Sequence, residues 1–105
     1  MVKSLHDQAM ALNEKSIVLE RNGDIDAAKK IAEEAFNLEF QAASLLEAKE
    51  ENEPTRSILY CSAVSIAVRA GAFENAKNAA KKGLEGFPDL RIMNELTIYQ
   101  LSFKE

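Results

Sequence analysis

The residues able to do chemistry are few and scattered. His6 is the only histidine and Cys61 the only cysteine in 105 residues. A zinc site needs three or four His, Cys or carboxylate ligands, and no such set is visible. No glutamate stands three residues before His6, so the Glu-x-x-His motif of bundle di-metal centres is missing. His6, near the N-terminus, reads as an exposed helix residue. A lone cysteine forms no intrachain disulfide and fits a reducing compartment. Cys61 lies in the apolar run 58–68, where it reads as a buried small hydrophobe rather than a reactive thiol. Ser57, Ser62 and Ser65 share that helical stretch with no histidine base beside them in sequence, so nucleophilic catalysis has no machinery. Glu33-Glu34 and Glu50-Glu51 are paired carboxylates of the kind that face solvent on helices. Gly83 and Gly86 follow no strand and precede no phosphate-binding lysine. The expectation is a protein that is not an enzyme and carries neither cofactor nor metal.

Charge narrows the partners further. The net charge is −4, from 13 Lys+Arg against 17 Asp+Glu, and no basic run exceeds the pairs Lys29-Lys30 and Lys81-Lys82. Nucleic-acid binders carry a basic stripe, so nucleic acid is not the expected ligand. The longest uncharged stretch, residues 57–68, is shorter than the ~20 residues that cross a bilayer. The N-terminus is charged too early for a signal-peptide core. These features place the chain in the cytoplasm, away from membranes.

Composition and periodicity describe the elements that must position any site. Sixteen of the residues are alanine and none is tryptophan. Alanine is the best helix former and lets helix axes approach closely. With four Gly and two Pro, the chain lacks the turn chemistry of a sandwich or barrel. Apolar spacing predicts a first helix over 4–22, capped by Ser4, with Asp7 near its positive end. Asn22-Gly23-Asp24 stops it, and Asp24 caps the next. The second helix is predicted over 25–51, with Ala28, Ile31, Ala32, Ala35, Leu38, Ala42, Leu45 and Leu46 as one face and Phe36, Phe40 and Ala43 off it. At that length it would overhang its predecessor and leave Leu38, Leu45 and Leu46 to be covered. Pro54 ends it. A third helix over 55–70 is apolar almost all round, hence central. The fourth covers 73–84. The fifth covers 90–103, capped by Asp89, with Ile92, Leu96, Tyr99 and Phe103 as one stripe and Leu90, Ile98 and Leu101 as another. One domain, residues 1–105, accounts for everything.

Two stretches repeat a local pattern. Gly23, Ile25 and Ala28 match Gly71, Phe73 and Ala76, and Ala35 matches Gly83 as a small residue on the following helix. Leu12 and Tyr60 precede their glycines by the same interval. The logic is a helical hairpin: glycine turns the chain, an apolar residue packs into the turn, and small residues let the antiparallel helices touch. This pattern resembles the tetratricopeptide repeat. The second copy carries Tyr60, Ala63, Gly71, Phe73, Ala76, Gly83, Leu84 and Pro88 at the family's spacings, and the first keeps Leu12, Gly23, Ile25, Ala28, Ala35 and Phe36. The two glycines are 48 positions apart, against 34 in the family, because the second helix is lengthened. Residues 56–63 and 82–88 are also similar to small bacterial tetratricopeptide-like proteins that bring no agreed activity.

The resemblance implies an all-α fold of about five antiparallel helices. Two hairpins would form a right-handed α-α superhelix, closed by a C-terminal capping helix. It also implies a protein or peptide partner held in a concave groove lined by the first helix of each hairpin. The corresponding positions are Asn13, Ile17, Glu20 and Arg21, then Cys61, Ser65 and Arg69. Arg21 and Arg69 stand two residues before each glycine, either to meet acidic groups on a ligand or to bond the last carbonyls of their own helices. The competing expectation is a structural module that forms a homodimer. Leu38 and Leu45 of the overhang would join Leu90, Ile98 and Leu101 in its interface.

Overall fold

The computed structural model describes residues 1–102, and the expected stripe member Phe103 lies outside them. Five α-helices follow in order: α1 Val2–Arg21, α2 Ile25–Ser44, α3 Thr55–Arg69, α4 Phe73–Leu84 and α5 Leu90–Ser102. A single 3-10 turn, Glu50–Asn52, interrupts the loop between α2 and α3. There is no strand among the described residues.

The two short turns are built alike. Gly23 and Gly71 take φ of +86° and +74°, the left-handed region that a side chain resists. In each turn the glycine N–H donates three residues back, Gly23 to Glu20 and Gly71 to Val68. The next N–H donates five back, Asp24 to Leu19 and Ala72 to Ala67. This pair of bonds satisfies carbonyls that a helix end leaves open.

Consecutive helices pack in pairs, and α3 also touches α5. α2 sits against both α1 and α3, and α4 against both α3 and α5. The odd-numbered helices therefore form one layer and the even-numbered a second, in a body of 41 × 35 × 18 Å. As expected, α3 is central: Leu59, Tyr60, Ala63, Val64, Ile66 and Ala67 are all buried. Alanines 32, 35, 42, 43, 63, 67, 76, 79 and 80 occupy the close-contact positions.

Three local expectations are corrected. α1 starts at Val2, so Ser4 lies inside the helix and accepts a bond from Gln8. Asp7, rather than facing a helix end, pairs with Lys3 at 2.7 Å on the exposed surface. Asp24 caps α2 through its backbone carbonyl alone, whereas Asp89 caps α5 through Oδ1, which accepts the Ile92 N–H at 2.9 Å.

The larger correction is α2, which ends at Ser44 and is as long as α1, so no overhang exists. Continuing the helix would need the carbonyls of Leu46 and Glu47 for residues four ahead. Arg56 Nε donates to the first at 3.2 Å and Asn52 Nδ2 to the second at 2.9 Å. Leu46 turns into the core and Leu38 is half-buried, while Leu45 stays exposed at the helix end. Phe36 and Ala43, expected off the apolar face, are buried, and Phe40 packs between them and α3. α2 is covered on two sides, so its apolar stripe is wider than one face. The rings of Phe36, Phe40 and Tyr60 are 5.5 and 5.6 Å apart in sequence, the second pair edge-on.

Candidate protein-binding face

The layer of α1, α3 and α5 carries the clefts. α1 and α3 run parallel, because residues at matching ends meet. At one end, Val2, Lys3 and His6 face Thr55, Ile58 and Leu59 across a cleft of about 450 Å³. At the other, Arg69 Nη2 donates to Asn13 Oδ1 at 2.5 Å and to Ser16 Oγ at 3.4 Å. A second cleft, about 370 Å³, lies between α3 and α5, lined by Ile58, Cys61, Ser62 and Ser65 opposite Arg91, Ile92 and Glu95. Ile58 is 46% exposed and belongs to both clefts.

Asn13 and Arg69 are thus brought together, but as partners of each other. Arg69 reaches across to α1, so neither expectation for it, a free ligand-binding cation or a cap on its own helix, describes its bonds. Ser16 Oγ extends the chain of bonds by donating to the Ala28 carbonyl at 2.7 Å. Arg69 Nη1 is buried without a hydrogen-bond partner among the described residues. It belongs to a small pocket of about 130 Å³ that also takes in Glu20, Ile25 and Lys29. Ile17 is half-buried, and Arg21 is exposed and lines none of these clefts. Ser65 lies in the α3–α5 cleft, away from the α1 positions. Leu38 and Leu45 belong to α2 and its terminal turn, whose main neighbours are α1 and α3, while α5 rests on α4 and α3. The five leucine and isoleucine positions expected in one dimer interface are therefore split between separate surfaces.

Residue chemistry at the clefts differs from the expectation at two points. His6 is no free surface residue. Its Nδ1 shares a hydrogen bond with the Glu39 carboxyl group, 2.8 and 3.0 Å from the two oxygens, and Glu39 is fully buried. The sequence did hold a signal for this pair. Glu39 is flanked at helical spacing by Ala35, Phe36, Ala42 and Ala43, and a carboxylate on such a face needs a partner.

Cys61 is only half-buried and lines a cleft. Burial pushes its thiol up from 9.0 to about 11, with the Glu95 carboxylate adding to the rise and Arg91 opposing it. At pH 8 about one thiol in a thousand is ionised, against about one in ten for a thiol that titrates at 9.0. Iodoacetamide labelling at pH 8 is expected to run about a hundredfold slower in the native protein than in urea. The native rate should climb until about pH 11. Because the unfolded chain releases that proton first, stability falls as pH rises from 9 to 11.

Glu53, just beyond the Glu50-Glu51 pair, is half-buried and accepts three bonds. Ser57 N–H and Oγ donate to Oε1 at 3.0 and 2.7 Å, and the Phe87 N–H donates to Oε2 at 2.9 Å. With Arg56 it ties the start of α3 to the loop before α5. The described residues contain no cluster of three or more metal-ligating side chains, and no helix among them is long and apolar enough to cross a membrane. No family model, curated protein or solved structure matches this chain.

Proposed function

We propose that this protein is a non-catalytic binding module of the cytoplasm that takes a peptide segment or helix of a partner protein along its odd-numbered helices. The observation that carries the reading is Ile58: a β-branched apolar side chain, nearly half exposed, at the junction of two clefts. The α1–α3 cleft has apolar walls at Val2, Ile58 and Leu59, and the α3–α5 cleft sets Ser62, Ser65, Arg91 and Glu95 around Ile58 and Ile92; binding grooves combine apolar walls with such polar groups. A tetratricopeptide-like arrangement is supported by the matching glycine turns and by the parallel course of α1 and α3. In this reading the anchor is Ile58 rather than the arginines, since Arg69 is engaged by Asn13 and Ser16 and Arg21 stands apart. An acidic chain without a basic run makes nucleic acid an unsuitable ligand.

Selection of displayed random dodecapeptides on the protein tests this. Binders are expected whose affinity falls at least tenfold in Ile58→Asp, a loss of about 1.4 kcal/mol. Circular dichroism should be unchanged, because the side chain is not in the core. Peptides that bind both proteins equally well would overturn the assignment of the groove.

A further inference from the structure

α5 hides Ile92 and Leu96 and turns its opposite side to water. That side carries Leu90, Met93, Ile98 and Leu101, which are 71, 41, 64 and 62% exposed. At 100° per residue these four, with Asn94 and Thr97 among them, share the outward half of the helix. None of the six is charged. The two charged residues of α5, Arg91 and Glu95, lie to one side, in the cleft with α3. Other exposed faces are studded with charge: Lys3, Asp7, Glu14 and Lys15 on α1, Glu33 and Glu34 on α2, Lys81 and Lys82 on α4. An uncharged, largely apolar face more than two turns long marks an interaction surface rather than a solvated one.

The order of residues on the face indicates the occupant. Two copies of α5 laid antiparallel about a two-fold axis between Glu95 and Leu96 bring Leu90 opposite the partner's Leu101. The same axis sets Met93 opposite the partner's Ile98 and Asn94 opposite the partner's Thr97. Every large apolar side chain then meets another, and the central amides meet hydroxyls. An isologous interface requires this self-complementarity, and a contact with an unrelated protein does not. We propose that a second copy of this chain packs on α5, antiparallel, in that register. None of the six residues lines either cleft, so the dimer stands independently of the function proposed above. One pair of short helices makes an interface at the small end of the specific range, so association is expected to be weak.

Sedimentation equilibrium from 10 μM to 1 mM tests the proposal. The mass is expected to rise from the 11.6 kDa monomer towards twice that value. Ile98→Asp should hold it at the monomer with unchanged helix content. Thr97→Asp should weaken association at least tenfold, and adding Asn94→Lys should restore it, because the register sets the new ammonium against the new carboxylate across the axis. A wild-type monomer at 1 mM overturns the proposal, as does a dimer that survives Ile98→Asp. So does a monomer that co-sediments with phosphatidylcholine vesicles unless Ile98 is changed, which would give the face to lipid.

Discussion

Arg56→Ala is expected to lower stability by about 3 kcal/mol, a large part of the 5–15 kcal/mol typical of a small domain. The guanidinium is buried, although it is a full charge. Nε donates to the Leu46 carbonyl and Nη2 to the Lys82 carbonyl, each at 3.2 Å, and the group lies 4.8 Å from the Tyr60 ring centroid. Those carbonyls sit at the ends of α2 and α4, where the helix dipoles are negative. Alanine leaves both acceptors with a weaker partner or none, and empties the space over Tyr60. Arg56→Lys keeps the charge but not the planar fork that reaches two carbonyls at once, so it should cost about 2 kcal/mol. Urea unfolding with an unchanged slope measures both losses. Hydrogen exchange supplies a local readout: amides of residues 45–54 should lose protection before those of the α1–α2 hairpin. A loss below 1 kcal/mol for Arg56→Ala would show that the charge does not join these helix ends.

Gly83→Leu is expected to cost a similar amount, about 3 kcal/mol, for the opposite reason: too much volume. A Cβ at Gly83 would lie 2.8 Å from Leu96 Cδ1 and 3.1 Å from Tyr60 Cβ. Leu96 is fully buried, so its methyl can shift only against other core atoms, and Tyr60 Cβ is fixed to the α3 backbone. Gly83→Ala separates the contributions. Alanine gains about 1 kcal/mol of helix propensity over glycine, so a net loss of about 1 kcal/mol would place the steric cost near 2. The midpoint of thermal unfolding should fall by roughly 12–24 °C for leucine. Removing the obstacle tests the cause. Leu96→Ala costs about 3 kcal/mol by itself, and combined with Gly83→Ala it should cost clearly less than the two separate losses added together. Strict additivity would show that Leu96 is not what limits residue 83.

Some of this architecture is legible residue by residue. Gly23 and Gly71 mark the two tight turns, and α4 occupies the residues that Phe73 and the Gly83, Gly86, Pro88 series delimit. The second stripe of α5 is exposed as its spacing implied, at Leu90, Ile98 and Leu101. The end of α2 was not legible. Leu, Glu, Ala and Lys after Ser44 are all good helix formers, and nothing local argues against continuation. Of the groove positions, Asn13 and Arg69 do come together, but the sequence offered no sign that they satisfy each other. Ile58 carried no motif at all. Its exposure follows from a gap between three helices and not from any neighbour in the chain.

The amino-acid sequence by itself determined the all-helical class, the number of helices, their order and their two glycine turns. These depend on groups within a few residues of one another: a φ that glycine tolerates, a carbonyl three to five positions back, an alanine one turn away. Only the tertiary structure decided where α2 stops, what Arg69 and His6 bond, and which apolar residues stay in water. Arg56 takes the Leu46 carbonyl from ten residues away, His6 meets Glu39 across 33, and Arg69 meets Asn13 across 56. A buried polar group must find a partner wherever packing puts one. At such separations the partner is chosen by how the layers stack, and local propensity has no voice in that choice.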